Sequence, residues 1–334
     1  MKRRTKNLYD HKVKAAGWIS LIVGLALLAI KFTAYSLTGS SAVLSDALES
    51  IVNVIAAVVG LTVLHVASKP ADRDHPYGHG KIEYVSAAFE GGLILFAAIL
   101  IVYTAVQKLF EGAQVERIDI GLGLVAAAGL VNLAVGFYLR KIGRQYGSLA
   151  LVASGAHLFS DFWTSLVVVV ALIVVKITSI PWIDPLFAGG VAIWLGYTGV
   201  RLLGQSISGL MDAEDENVIE KLRSLFIGNL RPGVISLHYT RVIRSGPFHH
   251  VDAHVVVPEF WDVQRAHEIL SEFENDVISG YEKVGRKFGE LHLHMDPCRS
   301  KYCQECPLEN CPIRAEVFVS LPNLGLTDLV SPTT

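Results

Sequence analysis

Two pairs of polar side chains stand at helical spacing inside apolar runs of the sequence. Glu49 and Asn53 lie four residues apart in one run, and His157 and Asp161 lie four residues apart in another. Because this spacing puts both members of a pair on one face of a helix, each pair could reach a single ion. Two carboxylates, an imidazole and an amide oxygen suit a divalent transition metal. The structural alternative is that Asp46 and Glu49 cap the helix or lie among lipid headgroups, and that His157 pairs with Asp161 in a purely structural role.

A second group of ligand-type residues lies in the polar segment KPADRDHPYGHGK. Asp72, His75 and His79 fall within eight residues, and the proline and glycines between and beside them permit tight turns. Such turns could bring the three side chains to one metal ion. The alternative is a solvated loop whose histidines have no ligand role.

Further ligand-type residues recur on two predicted strands in the last third of the chain. Every second residue of a strand faces the same way, and one face of each of these strands is polar. His238 on a preceding strand and His267 on a predicted helix could complete a metal site. The alternative is that some of these residues, above all His249, His250 and His292, are simply exposed. The polar faces comprise His250, Asp252 and His254 on one strand, and Glu290, His292, His294 and Asp296 on the other.

All four cysteines of the chain occur within fourteen residues, with the spacing C-x4-C-x2-C-x4-C. So few cysteines in a long chain do not form a disulfide scaffold, and their clustering indicates a local metal site in a reducing compartment. Four thiols suit a tetrahedral zinc ion, which we favour, and an iron–sulfur cluster is the alternative. The residues are Cys298, Cys303, Cys306 and Cys311.

The composition indicates that a membrane must position the first two pairs. Of the 334 residues, 51% are hydrophobic and 18% are charged, and the net charge of -2 offers no basic field for a nucleic-acid partner. Charge-poor runs long enough to cross a bilayer as helices predict six transmembrane spans. These spans centre on residues 15–35, 46–68, 84–107, 118–139, 151–175 and 183–200.

The distribution of basic residues predicts the orientation of the spans. Lysines and arginines precede the first span and follow the second and fourth, whereas the loop after the first span carries none. We therefore expect both termini in the cytoplasm. No small-residue cleavage site follows the basic N-terminal segment, so we expect a retained first span and not a signal peptide. The expected fold is an α-helical membrane protein with six transmembrane helices plus a cytoplasmic α/β domain of order αββαβ, metallochaperone-like. Predicted boundaries are 1–14 for a basic cytoplasmic N-terminus, 15–210 for the membrane domain, 212–297 for the αββαβ domain, 298–314 for a cysteine-rich metal-binding extension and 315–334 for a loose tail.

Several motifs together resemble the cation diffusion facilitator family of divalent metal transporters. The likeness runs from about residue 15 to residue 298 and is carried by GSSAVLSDALES, HPYGHGK, HLFSD and the ending HLHMDPC. The sequence departs from the zinc-transporting pattern in the second span, where Asp or His followed four residues later by Asp is replaced by Glu49 and Asn53. The cysteine segment is not a general feature of the family.

This resemblance implies a homodimer that exchanges a metal ion for protons by alternating access. It implies a transport site at Glu49, Asn53, His157 and Asp161, and an interfacial site at Asp72, His75 and His79. It assigns cytoplasmic zinc binding to His238, His254, His267, His294 and Asp296, and it matches Lys81 and Asp212 to positions that pair charges near the membrane surface.

The expected function is therefore proton-coupled export of divalent transition metals from a prokaryotic cell. Zn2+ is the favoured ion, with Fe2+, Co2+, Cd2+ and Mn2+ as alternatives. A membrane-anchored metal sensor is the competing hypothesis, although a sensor needs no ligands at mid-membrane. An enzyme is not expected, because no HExxH helix or comparable site with a placed general base occurs in the sequence.

Overall fold

The computed structural model describes residues 2–38, 41–111, 120–178, 183–285 and 288–331. The chain divides into two compact units, Met1–Met211 and Asp212–Thr334. Within the described residues, the first unit consists of six long helices. They are α1 (Lys2–Thr38), α2 (Ser41–Ala67), α3 (Ile82–Glu111), α4 (Ile120–Tyr146), α5 (Leu149–Thr178) and α6 (Ile183–Leu210).

Four helices of the first unit carry apolar stretches long enough to cross a membrane, judged over the described residues by length and composition. These stretches are His11–Thr33, Ser50–Ala67, Ile82–Gln107 and Pro185–Leu210. The helical membrane domain is thus confirmed. The predicted spans at residues 118–139 and 151–175 fall on α4 and α5 and stay predictions. Helix α1 begins at Lys2, so the basic N-terminal segment is helical rather than separate from the first span.

The helices pack mainly in pairs, α1 with α2, α3 with α6 and α4 with α5, and α5 also contacts α2 and α3. Glycines allow the closest approach. A Cβ atom added to Gly155 of α5 would lie 2.9 Å from the carbonyl oxygen of Gly136 in α4. A Cβ atom on Gly199 of α6 would lie 2.9 Å from the carbonyl oxygen of Gly91 in α3. Small residues therefore set the spacing between α4 and α5 and between α3 and α6, as is common between membrane helices.

The second unit places two helices and a three-stranded sheet in the predicted αββαβ order. The strands have the order β1-β2-β3, with β1 and β2 antiparallel and β2 and β3 parallel. The core consists of apolar residues from both helices and all three strands, including the fully buried Leu222, Phe226, Val251 and Phe273. The elements are α7 (Glu216–Asn229), β1 (Ser236–Ser245), β2 (Phe248–Val257), α8 (Val263–Gly285) and β3 (Phe288–Pro297).

The C-terminal residues differ from the expected loose tail over residues 315–334. A short helix, α9 (Leu326–Val330), packs against the core through Leu324 and Leu329, which are 2% and 0% exposed. The backbone N–H of Tyr239 donates to the carbonyl oxygen of Ser331 at 3.1 Å. Two buried leucines and this hydrogen bond hold the described part of the tail in place, and residues 332–334 lie outside the described range.

Candidate metal-binding sites

Helices α2 and α5 bring three of the four predicted intramembrane ligands together. The Nδ2 atom of Asn53 donates to Oδ2 of Asp161 at 2.7 Å, and Nε2 of His157 lies 2.9 Å from Oδ1 of Asn53. Asp161 is buried, and Asn53 and His157 are half-buried. The amide of Asn53 thus connects the imidazole with the carboxylate from the neighbouring helix. The fourth predicted ligand, Glu49, lies in α2, and its side chain is outside the described part of the structure.

The surroundings of this group are polar for a membrane interior. Asn53 lines a cavity of about 20 Å³ together with Ser50 of its own helix and Asn132 of α4. Such a volume holds about one water molecule. Glu90 of α3 is 1% exposed and accepts a hydrogen bond of 2.7 Å from Ser154, one turn before His157 on α5. The cluster therefore has buried polar groups on several sides.

Glu83 contributes to the position of α5, a role that the sequence analysis missed. Its carboxylate is 1% exposed and accepts hydrogen bonds from the hydroxyl of Ser148 at 2.6 Å and the backbone N–H of Ala150 at 3.3 Å. A carboxylate at the start of a helix satisfies N–H groups that have no partner within the helix. The only local signal is a serine at the start of an apolar run, which does not identify a partner 65 residues away.

The loop between α2 and α3 brings Asp72, His75 and His79 together, with ligand atoms all within 4.8 Å of one another. The Oδ1 atom of Asp72 lies 3.3 Å from Nδ1 of His75, and Oδ2 lies 3.3 Å from Nε2 of His79. Gly78, with φ of 79°, permits the turn between the two histidines. The backbone N–H of His75 donates to Asp72 at 2.8 Å and holds the pKa of this carboxyl below its usual value. The carboxylate is therefore ionised, as a ligand must be.

The sheet of the second unit forms another such group from His238, His254 and Asp296. His238 and His254 are direct partners across β1 and β2, and His254 pairs with His294 across β2 and β3. Oδ2 of Asp296 lies 2.9 Å from Nδ1 of His254 and 3.4 Å from Nε2 of His238. Burial lowers the pKa of His238, which favours the neutral imidazole that binds metals.

His294 and His267, which were also predicted as cytoplasmic zinc ligands, lie outside this compact group. Nε2 of His294 lies 3.8 Å from Oδ1 of Asp296, and its side chain is 68% exposed. His267 is exposed on α8 and is not among the residues whose ligand atoms cluster with Asp296 in the described chain. A metal held by His238, His254 and Asp296 would leave His294 at the rim.

The other histidines of the sheet have structural contacts. His249 is 1% exposed, and its Nδ1 atom lies 2.6 Å from the hydroxyl of Tyr281. Burial raises the pKa of this tyrosine, which keeps the hydroxyl protonated. Nδ1 of His250 lies 2.5 Å from Oε1 of Glu290, and His292 lies 3.5 Å from the same oxygen.

The four cysteines are free thiols and line one cavity next to the end of β3. Cys306 is buried, and the other three are half-buried. Burial raises the pKa of Cys298, and the charges of Glu259, Cys311 and Cys306 act in the same direction, whereas a hydrogen bond from the backbone N–H of Glu259 lowers it. The backbone N–H of Cys298 donates to the carbonyl oxygen of Val257 at 2.8 Å, which fixes the start of the segment to β2.

Comparisons with known proteins agree over most of the chain. Residues 17–211 match the family model described as the cation efflux transmembrane domain, and residues 215–298 match the cytoplasmic domain of cation efflux proteins. An uncharacterized transporter, sll1263, of Synechocystis sp. is 38% identical over 260 residues, which cover 78% of this chain and 84% of the relative. The cation-efflux pump FieF of Salmonella arizonae is 26% identical over 87% of this chain and 94% of the relative, and that of Shewanella oneidensis is 27% identical over 86% and 95%.

Proposed function

Because this chain belongs to the cation diffusion facilitator family of divalent metal transporters, we propose that it exports Zn2+ in exchange for protons. Metal efflux is the activity of the family, and the ion and the coupling are our proposal. The transport site comprises Asn53 and Glu49 from α2 with His157 and Asp161 from α5. The observation that carries the proposal is the hydrogen-bonded group that joins Asn53, His157 and Asp161.

The ligand types support zinc as the cargo. Imidazole is a good ligand for zinc, and carboxylate oxygen completes many zinc sites. Manganese and magnesium favour carboxylate, carbonyl and water oxygens, whereas here one proposed ligand is the imidazole of His157. Polar groups at membrane depth are costly, so this arrangement is expected to serve an ion that passes through.

The hydrogen bonds suggest how metal and protons compete. The carbonyl oxygen of the Asn53 amide can only accept, so Nε2 of His157, which lies 2.9 Å away, is the protonated nitrogen in this arrangement. A metal ion needs a nitrogen lone pair, so binding through this atom requires a neutral ring whose proton has moved to Nδ1. The carboxylate of Asp161 must exchange its hydrogen bond from Asn53 for the metal. A proton leaves the site when the metal replaces one bound by the imidazolium of His157 or by the carboxyl group of Asp161 or Glu49, and this competition couples metal binding to proton release.

The remaining features belong to the same proposal. We expect six spans with α4 and α5 as the fourth and fifth, both termini in the cytoplasm of a prokaryotic cell, and a homodimer that works by alternating access. We expect membrane and cytoplasmic domains with boundaries near residues 15–210 and 212–297. The loop group (Asp72, His75 and His79) and the sheet group (His238, His254 and Asp296) would hold further Zn2+ ions that are not transported.

The test is zinc flux into proteoliposomes that contain a pH-sensitive dye. The unaltered chain should take up zinc and release protons from the lumen, and His157→Ala and Asp161→Ala should each lower the flux at least tenfold. Ser160→Ala is the matched control, because Ser160 is buried on α5 but donates to the carbonyl oxygen of Ala156 in its own helix. The same vesicles with Fe2+, Co2+, Cd2+ and Mn2+ decide the ion.

Equal flux in His157→Ala and the unaltered chain would place the pathway elsewhere. Zinc uptake without a pH change would remove the proton coupling but not the cargo. Zinc binding without any flux would favour the competing function, a membrane-anchored metal sensor that signals through the sheet group of the second unit.

A further inference from the structure

The cysteine segment that follows β3 encloses a cavity of about 110 Å³. Three of its four cysteines lie beyond residues 215–298, which match the family's cytoplasmic domain. Most of the segment therefore lies outside the part of the chain that matches the family model. Its cavity is lined by all four thiols, by the side chains of Arg299 and Arg314, and by Ile235, Glu259, Ser300, Tyr302 and Ile313.

The separation of the sulfur atoms argues against a single ion. In a zinc site of four thiolates, Zn–S bonds of about 2.3 Å place the sulfur atoms about 3.8 Å apart. Among the described residues, the groups of three or more ligand atoms that lie within 4.8 Å of one another are the loop group and the sheet group. The cysteine sulfurs form no such group. In the described part of the chain, no three of the four sulfurs therefore lie as close together as a single zinc ion would hold them.

The cavity volume leads to the same conclusion. A single water molecule needs about 10–15 Å³ of such space, so 110 Å³ is several times the room that one bound ion requires. A [4Fe–4S] cluster, in contrast, contains four iron and four sulfide ions and binds one cysteine thiolate at each iron. Four cysteines around a cavity of this size fit that arrangement.

An arginine and one backbone N–H group lie beside the thiols. The guanidinium of Arg314 donates to the carbonyl oxygens of Cys303, Cys306 and Leu308, which directs these oxygens to the arginine. The backbone N–H of Ala315 points to the sulfur of Cys303 at 3.4 Å. Hydrogen bonds to sulfur and nearby positive charge stabilise thiolate-bound clusters.

The segment is also anchored to the folded unit. Cys306 and Tyr302 are 6% and 8% exposed and pack against Ile235 and Val256, with Cys298 and Leu308 at the edge of this cluster. The cavity therefore lies against the sheet rather than in a free chain.

We propose that Cys298, Cys303, Cys306 and Cys311 bind a [4Fe–4S] cluster. This assignment replaces the zinc ion that the spacing alone favours. It adds a bound inorganic cofactor to the transporter and requires no redox step.

The test uses the full-length chain, purified without oxygen in detergent. The protein should be brown, absorb visible light, and contain about four iron and four acid-labile sulfide ions per chain. The double variant Cys303→Ser with Cys306→Ser should lose the colour, the iron and the sulfide. The matched control is Ser300→Ala, which changes the same cavity without removing a thiol and should keep all three.

The iron, sulfide and zinc content of the unaltered chain decides the proposal even if the double variant does not fold. The absence of iron and sulfide from the unaltered chain would overturn the cluster, and about one zinc per chain that remains when His79, His157 and His238 are all changed to Ala would indicate a zinc site at the thiols instead. A colourless chain without metal at the thiols would overturn the site itself. Iron and sulfide that persist in the double cysteine variant would show that they bind elsewhere.

Discussion

Asn53 occupies a position where its amide serves two neighbours at once. It donates to Asp161 and lies beside Nε2 of His157, and its carbonyl oxygen accepts from that nitrogen. An amide cannot titrate, so this residue fixes the arrangement without itself binding or releasing a proton. The number of protons exchanged per metal ion is therefore set by the other members of the site.

Replacing this amide by a carboxylate should change both proton and metal binding. In Asn53→Asp, two carboxylates would stand 2.7 Å apart at the position of the present hydrogen bond, and such a pair holds a shared proton in the absence of metal. We expect one more proton released per zinc ion, a steeper loss of zinc affinity as the pH falls, and tighter binding of Mn2+ relative to Zn2+. Isothermal titration in buffers of different ionisation enthalpy measures the proton count.

The matched control for this substitution is Asn132→Asp, since Asn132 lines the same small cavity but is not in the hydrogen-bonded group with His157 and Asp161. Identical proton counts and identical pH dependence in Asn53→Asp and the unaltered chain would mean that Asn53 is not a ligand.

Spacing along the chain identified Asn53, His157 and Asp161 because each pair is local to one helix. What spacing does not show is the contact between the pairs, because Asn53 and Asp161 are 108 residues apart. That contact depends on how α2 packs against α5. Glu90 and Glu83 were not assigned these contacts for the same reason, since their serine partners lie on a different helix.

At the scale of elements, the position of α5 depends on close contact with α4. A Cβ atom on Gly155 would lie 2.6 Å from Cγ of Arg140 and 2.9 Å from the carbonyl oxygen of Gly136. The side chain of an arginine can move, but the backbone of α4 cannot move without the helix. A methyl group at this position would therefore push α5 away and displace His157, two residues further along.

We expect Gly155→Ala to lower zinc flux at least tenfold and to lower the thermal midpoint of the detergent-solubilised protein. Overpacking of a close contact costs about 1–3 kcal/mol. Gly204→Ala is the control, because nothing lies within 4 Å of a Cβ atom at that position of α6. Unchanged flux and midpoint in Gly155→Ala would show that α4 and α5 do not need this contact.

In the sheet, the ion pair of Glu290 with His250 makes stability depend on pH. Burial raises the pKa of Glu290, but the hydrogen bond and charge of His250 and the charge of His292 outweigh it, so the pKa is lower than usual. A lowered carboxyl pKa stabilises the folded state above the unfolded pKa, about 4.3, and this contribution is lost as the pH falls through the folded value. Because the side chain of Glu290 is 44% exposed, solvent screening limits the contribution of this pair to the free energy of unfolding to below about 1 kcal/mol.

We therefore expect Glu290→Gln to lower the thermal midpoint at neutral pH. Below about pH 4 the midpoint of this variant should approach that of the unaltered chain. Thermal unfolding followed across this pH range measures the difference. Glu268→Gln on the exposed face of α8 should give a curve parallel to that of the unaltered chain. A difference for Glu290→Gln that stays constant with pH would contradict the proposed ion pair.

The elements of the second unit were predictable because each has a local signal. Alternation in β2 and β3 and the amphipathic pattern of α8 depend on neighbouring residues only. The docking of the C-terminal residues had no such signal. The residues between Leu324 and Leu329 are Gly-Leu-Thr-Asp, which form no clear apolar pattern, and the burial of the two leucines depends on a hydrophobic site formed by the rest of the unit. The spacing of the cysteines likewise identifies thiols but not the volume between them.

At the scale of the whole molecule, candidate ligands fall into groups in different units. Asn53, His157 and Asp161 belong to the first unit, and His238, His254 and Asp296 belong to the second. The sequence separates these groups because the apolar composition ends near residue 211. If only the first group carries the transported ion, a substitution in the second group should change zinc binding by the second unit without changing zinc flux.

His254→Ala tests this independence, because it removes a ligand that lies 2.9 Å from Asp296 and leaves the first unit unchanged. We expect about one fewer tightly bound zinc per chain. Ligand binding stabilises the folded state by about 2.7 kcal/mol at a zinc concentration 100 times the Kd, so this variant should lose that part of the zinc-dependent rise in thermal midpoint. Zinc flux and its pH dependence should stay within about twofold of the unaltered chain, whereas His157→Ala should show the opposite pattern.

Asp252→Asn, on the same strand, serves as the control for changes in β2. A loss of flux in His254→Ala as large as in His157→Ala would mean that the sheet group takes part in transport, either by delivering zinc or by setting the conformation of the membrane domain.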